Sequence, residues 1–115
     1  MSAKGHATTS APVDPALEAG LAALRARFRA GLEDRIIRLE GAAMILRQDA
    51  QAVEALAAIR DECHRIAGVA PSLGLADIGE IAMRIDAAFA ERRASWPALE
   101  APLERLLAAL EGLLD

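Results

Sequence analysis

Apolar side chains recur every three or four residues through most of this chain, which is the spacing of a helix with one buried face. Ala and Leu, which both favour helices, supply much of the 54% hydrophobic content, while β-branched residues are few. The spacing therefore predicts an all-α protein. Each apolar stripe needs partners, so the helices are expected to bury their stripes against one another.

The first helix is predicted to begin at Asp14 and Pro15, because aspartate accepts a first-turn N–H and proline fits the first helical position. Its end is expected near Arg47. Glycines interrupt it at roughly 1 kcal/mol each relative to alanine, so a kink or a break into two helices is compatible with the pattern. Residues 1–13, small and polar, are expected to form a flexible tail. The stripe comprises Leu17, Leu21, Leu24, Phe28, Leu32, Ile36, Leu39, Ala43 and Leu46.

The second and third helices follow from the same spacing. Asp49 is the expected N-cap of the second, and Pro71 should end or bend it because proline lacks a backbone donor. The third should run from Leu75 to about Ala94. The stripe of the second comprises Val53, Leu56, Ile59, Cys63, Ile66 and Ala70, and that of the third comprises Leu75, Ile78, Ala82, Ile85 and Phe89.

The fourth helix is expected to start at Pro97, or only near Ala101 because Pro102 is unsuited to a helix interior. Four amphipathic helices with short connections predict an antiparallel four-helix bundle over residues 14–115. The last stripe comprises Leu99, Leu103, Leu106, Leu107, Leu110 and Leu114.

Charge and composition restrict the classes of partner. The net charge is −4, the pI is near 5.2 and no block of basic residues occurs, which argues against nucleic-acid binding. The single cysteine, Cys63, cannot form an internal disulfide and is expected to pack as a small buried hydrophobe in a reducing, cytoplasmic setting. We see no apolar run of membrane-spanning length. Stripes that four helices satisfy among themselves favour a monomer.

His64 follows the stripe residue Cys63 directly, so its side chain is turned about 100° away from that position. It should therefore lie at the edge of the buried face or outside it. An ordinary imidazole titrates near about pH 6.5, so an exposed histidine is largely neutral and nucleophilic at neutral pH. The alternative is a histidine that lines the core or caps a helix.

The run HRIAG at residues 64–68, followed by Ala70 and by Leu73 and Gly74, resembles the phosphoacceptor motif of histidine-containing phosphotransfer (HPt) domains. Those domains are four-helix bundles that carry a phosphoryl group between receiver-domain aspartates in bacterial-type two-component relays, or accept it from a histidine kinase. The resemblance implies that His64 is phosphorylated at Nε2 and that the chain is a carrier rather than an enzyme. It also implies no cofactor in this chain, because the receiver brings the aspartate, a divalent metal and a lysine.

Many members of that family carry a lysine three residues after the histidine, and here that position is Ala67. Arg65 is turned about 100° from His64, so it is an imperfect substitute. Arg60, one turn earlier, and Arg84 on the third helix are further candidate cations. Slower transfer or a narrower range of partners would be consistent with the change.

Other residues complete the predicted partner surface around the histidine. Pro71, near the end of the second helix, is predicted to belong to this surface. Asp61, Asp77 and Glu80 are the candidates for the group that orients the imidazole. The arginines of the first helix do not share one face and are interpreted as solvated positions; they are Arg25, Arg27, Arg29, Arg35 and Arg38.

Gly68 lies one helical turn after His64 on the same face. Because helical Cα–Cβ bonds tilt toward the N-terminus, any side chain at this position would lean over the imidazole. Glycine is therefore expected to keep His64 accessible to a bulky partner. The competing explanation is that Gly68 permits a close contact between two helices.

Three other classes of protein compete with a phosphoryl carrier. An enzyme is disfavoured because the chain shows neither a paired carboxylate site nor a phosphate-binding glycine loop. A histidine kinase dimerisation domain normally has an acidic residue directly after its histidine, whereas Arg65 follows His64. The main alternative is a structural or adaptor bundle that binds receiver or kinase domains without carrying phosphate.

Overall fold

The structure, a computed structural model, describes residues 14–115, and the predicted tail at residues 1–13 lies outside them. The described residues form five α-helices, one short 3₁₀ helix and no strand, which confirms the all-α prediction. The elements in chain order are α1 (Pro15–Ala30), α2 (Leu32–Gln48), α3 (Val53–Val69), the 3₁₀ helix (Ala70–Leu73), α4 (Ala76–Ala90) and α5 (Trp96–Gly112).

Helices α2 to α5 form the predicted four-helix bundle. Each of them packs against its neighbour in sequence, and α5 returns to pack against α2, so the ring of contacts closes. The short connections make successive helices antiparallel. Their fully buried side chains meet in one core, which includes Leu39, Ile59, Ile66, Ile85, Leu103 and Leu106.

The predicted first helix is divided at Gly31 into α1 and α2. The N–H of Gly31 still donates to the carbonyl of Arg27 at 3.1 Å, and its own carbonyl accepts the N–H of Arg35 at 3.0 Å. Hydrogen bonding therefore continues across the break. At the start of α1, Asp14 accepts the N–H of Ala16 at 3.0 Å, which confirms the predicted cap.

The predicted burial of three stripe residues is wrong. Leu17 is 58% exposed because α1 packs only on α2 and the 3₁₀ helix, so no helix faces its first turn. Val53 lies in the first turn of α3, and Leu114 follows the end of α5; both side chains are exposed. In each case the position lies beyond the length over which the four helices overlap.

Two predicted helix starts also differ. Asp49 does not cap α3; it is the C-cap of α2, and its side chain accepts the N–H of Gln51 at 3.0 Å inside the loop, while Ala52 precedes α3. Helix α5 begins at Trp96 with Ser95 as N-cap, so the alternative start near Ala101 is wrong.

Pro102 lies inside α5 without ending it. Because proline has no N–H, the carbonyl of Ala98 lacks its usual helical donor. Leu99 and Leu103, on either side of the missing bond, are both buried in the core. Packing on this apolar face is sufficient to keep the helix continuous.

The connection between α3 and α4 is compact. Gly74 has φ 76, and its N–H and that of Leu75 donate to the carbonyls of Pro71 and Ala70 at 3.2 and 3.0 Å. A Cβ added at Gly79 would lie 3.3 Å from the Cβ of Ala70 and 3.4 Å from Pro71 Cδ. Glycine at position 79 therefore allows α4 to pack closely on the end of α3.

Glu62 is a buried carboxylate on α3 that pairs with two arginines of α2. Its Oε1 accepts from Arg35 Nη1 at 2.8 Å, and its Oε2 pairs with Arg38 Nη1. The guanidinium carbon of Arg35 lies 5.4 Å from the centre of the Phe28 ring. The interpretation of Arg35 as a solvated position is therefore wrong, because its side chain is half-buried and pairs with a buried carboxylate. Arg38 is 53% exposed, as predicted, and also pairs with Glu62.

We expect Glu62→Gln to lower the free energy of unfolding by about 3 kcal/mol, since it leaves the half-buried Arg35 without a counter-charge. The matched control is Asp61→Asn, which removes an adjacent but exposed carboxylate and should change stability by less than about 0.5 kcal/mol. Urea unfolding of both variants measures the difference. Equal stabilities would show that the buried pair contributes nothing to folding.

Candidate functional site

His64 projects from the solvent-facing side of α3. Its side chain is 76% exposed, whereas the adjacent Cys63 and the nearby Ile59 and Ile66 are fully buried. The rotation of about 100° per residue turns position 64 outward when its neighbours face the core. The predicted location outside the buried stripe is therefore confirmed, and a core-lining role for His64 is wrong.

Asp86 on α4 is the only described residue that hydrogen-bonds to the imidazole. The Nδ1 atom of His64 lies 3.3 Å from both carboxylate oxygens of Asp86, whose side chain is 33% exposed. A carboxylate accepts but does not donate, so the pairing favours the tautomer with the proton on Nδ1. Nε2 then carries the free lone pair, and the hydrogen bond from Nδ1 to Asp86 orients the ring.

The sequence-based candidates for this orienting role did not include Asp86. Asp61 instead pairs with Arg60, with 3.4 Å between Arg60 Nε and Asp61 Oδ1, and Glu80 pairs with Arg84 at 3.8 Å. Asp77 lies in the first turn of α4. None of these three carboxylates bonds to His64 in the part of the chain that the structure describes.

The helix register explains why Asp86 reaches the histidine. Gly79 of α4 lies against Ala70 at the end of α3. Because the two helices are antiparallel, moving back along α3 from Ala70 to His64 corresponds to moving forward along α4 from Gly79 to Asp86. Asp86 also follows a buried stripe residue by one position, as His64 does. That shared offset is the sequence signal that could have identified it.

The imidazole lies in an open surface depression of about 270 Å³. Two guanidinium groups and two carboxylates share it with the ring, and the lining residues are Arg60, Asp61, His64, Arg65 and Asp86. Arg60 and Arg65 therefore provide positive charge beside a nucleophilic nitrogen. Guanidinium groups can donate paired hydrogen bonds to a small anionic group that arrives from solvent, while Asp61 and Asp86 offset their net charge here.

Gly68 is exposed, and a Cβ added there would meet no atom within 4 Å outside its own helix backbone. The competing explanation, a close contact between helices, is therefore wrong for Gly68 and describes Gly79 instead. The surface beside His64 is open on this side.

The remaining predicted site residues have different surroundings. Ala67 is half-buried against the core, and Pro71 is exposed in the 3₁₀ helix. Arg84 does not line the depression at His64; it lines a separate groove between α4 and α5. Arg84 and Asp86 are two residues apart, so their side chains diverge by about 200° around α4. The assignment of Arg84 to the partner surface stays a prediction.

Cys63 is a buried free thiol, as predicted. Burial, together with the nearby carboxylates of Asp86 and Glu62, raises its pKa to about 12. The thiol therefore stays protonated at neutral pH and behaves as an apolar core group.

Two kinds of feature are absent from residues 14–115. No group of three or more His, Cys, Asp or Glu side chains is arranged to hold a metal ion. No helix in this range combines the length and the apolar character needed to cross a membrane.

Comparison with known proteins gave one match. The family model described as the Hpt domain matches residues 17–115, which include all of α2 to α5 and both His64 and Asp86. Neither the curated proteins nor the solved structures contained a match to this chain.

Proposed function

Because the chain belongs to the Hpt domain family, whose members are phosphocarrier modules of phosphorelays rather than enzymes, we propose that His64 accepts and donates the phosphoryl group. The observation that carries the proposal is the exposed imidazole whose Nδ1 is paired with Asp86. The pairing of Nδ1 with Asp86 leaves Nε2 as the nucleophile. The exchange partner is an aspartate of a response-regulator receiver domain, and a histidine kinase is the other candidate donor.

The transfer step conserves atoms and charge. The Nε2 lone pair attacks the phosphorus of a receiver aspartyl phosphate, an N–P bond forms, and the bond between phosphorus and the aspartyl oxygen breaks to release the carboxylate. The imidazole ring gains positive charge in this step. Asp86, bonded to the Nδ1 proton, balances that charge in the same way that a buried aspartate stabilises an imidazolium in hydrolases. The reverse reaction uses the same contacts.

Arg60 and Arg65 are the cations that this chain offers to the phosphoryl oxygens, since both line the depression at His64. They would take the place of the lysine that many family members carry where this chain has Ala67. Guanidinium groups suit this role because they donate paired hydrogen bonds to phosphate oxygens. The divalent metal belongs to the receiver in this proposal.

The proposed working form is a cytoplasmic monomer that binds its partners transiently around His64. The bundle buries most of its apolar stripes internally, which supports a monomer. The adaptor alternative shares this surface and differs only in carrying no phosphate, so chemistry at His64 distinguishes the two.

The decisive experiment incubates the full chain with a receiver domain carrying radiolabelled phosphate. We expect label on the wild type and none on His64→Gln, with both proteins melting at similar temperatures because the side chain is exposed. His6→Gln changes the only other histidine and should label normally. The label should be acid-labile and base-stable, as a phosphoramidate is. Receiver binding without label would support the adaptor function instead.

Asp86→Ala should slow phosphotransfer about 10- to 100-fold, because a hydrogen bond to a charged group contributes about 1.5–3 kcal/mol. Asp86→Asn keeps an acceptor oxygen and should fall between the alanine variant and the wild type. Asp77→Ala, which removes an exposed carboxylate of the same helix, is the control and should transfer normally. Single-turnover rates at saturating receiver measure the effect. Identical rates for all four proteins would refute a positioning role for Asp86.

Gly68→Gln should melt within a few degrees of the wild type yet transfer phosphate much more slowly, because the new side chain leans over His64. Gly79→Gln is the matched control; its side chain collides with Ala70 and Pro71, so we expect a large drop in melting temperature. Melting curves and transfer rates on the same samples distinguish blocked access to His64 from disrupted packing between helices. Fast transfer by a folded Gly68→Gln variant would reject the access role.

A further inference from the structure

A second groove runs between α4 and α5, separate from the depression at His64. Its volume is about 330 Å³, and no acidic residue lines it. Three arginines border it over an apolar floor, namely Arg84, Arg93 and Arg105 above residues that include Ala88, Leu99 and Pro102. In a chain of net charge −4, this is a local concentration of positive charge.

The arginines of this groove are available to an incoming ligand. Arg84 and Arg93 pair with Glu80 and Glu91 at 3.8 and 2.7 Å, but all four side chains are more than half exposed. Exposed ion pairs of this kind contribute little to stability, so carboxylates of a ligand can replace Glu80 and Glu91 as partners of the arginines. Arg105 forms no ion pair with any other residue in the range 14–115.

The groove therefore combines positive charge with apolar surface. Arginine side chains border it, and Leu99 and Pro102 contribute to its floor. A ligand that fits must offer acidic groups and apolar surface together. An amphipathic helix with acidic residues beside its apolar stripe offers both.

The groove and the His64 site lie on different sides of α4. Arg84 and Asp86 diverge by about 200°, and the groove shares no lining residue with the depression at His64. We propose that the α4–α5 groove is a second docking surface that binds an acidic amphipathic helix of a partner protein. The receiver exchanges phosphate at His64 while that helix holds the partner in place.

The probe is a fluorescent synthetic helical peptide with leucines every three or four positions flanked by glutamates. We expect saturable binding to the full chain, and roughly tenfold weaker binding to the double variant Arg93→Gln, Arg105→Gln, which corresponds to about 1.4 kcal/mol. The matched double variant Arg25→Gln, Arg27→Gln removes the same charge from α1 and should bind as the wild type does. A peptide with glutamine in place of glutamate should bind weakly.

A second variant tests the apolar part of the groove. Ala98→Trp fills the groove and keeps every arginine, so it should abolish peptide binding as well. Unchanged binding to this variant would mean general charge attraction and would overturn the proposal. Melting curves of each variant establish that it is folded.

The remaining outcomes are also decisive. Phosphotransfer at His64 should be unchanged in the variant with Arg93 and Arg105 replaced; a parallel loss of transfer would place the groove in the receiver surface and refute a separate site. Failure of the wild type to bind the peptide would refute the proposal even if His64 is labelled. Stronger binding to vesicles of phosphatidylserine than to the peptide would assign the groove to a lipid surface instead.

Discussion

The contact of Gly79 with the end of α3 sets the relative position of the two helices that carry the site. Because position 79 has no side chain, α4 packs closely against Ala70 and Pro71. That contact fixes which residues of α4 face which residues of α3. One consequence is the pairing of Asp86 with the imidazole of His64 across 3.3 Å. The orientation of this imidazole therefore depends on a packing contact two turns away along the helix.

Helix α3 serves two functions on two faces. Its inner face contributes Ile59, Cys63 and Ile66 to the core, and the buried Glu62 ties it to α2 through Arg35 and Arg38. Its outer face presents the histidine to solvent. The proposed transfer between two proteins requires the histidine to be accessible and to be held in a defined orientation. Rigid attachment on the inner face supplies the orientation without covering the ring.

The periodic part of the structure could be predicted from the sequence. Apolar residues spaced three and four positions apart predicted the bundle and the exposure of His64, because both follow from the rotation of successive residues around a helix axis. Asp86, and the pairing of Glu62 with Arg35, were missed since they depend on the register between helices. The helix start at Asp49 and the burial of Leu17 were also predicted wrongly. Loop geometry decides the first, and the extent of overlap between helices decides the second. The offset of Asp86 from the buried stripe places it beside that stripe, but local patterns do not specify which residue of α3 it faces.

The open face around Gly68, where an added Cβ would touch nothing, has a consequence for how such a protein diversifies. Residues on this face carry almost none of the packing that keeps the chain folded. Apart from His64, Asp86 and Gly68, these residues can change under selection for a new binding partner while the interior stays constant. Partner choice and thermodynamic stability therefore evolve at separate positions, so duplicated copies of the gene could become insulated pathways without first acquiring compensating core mutations.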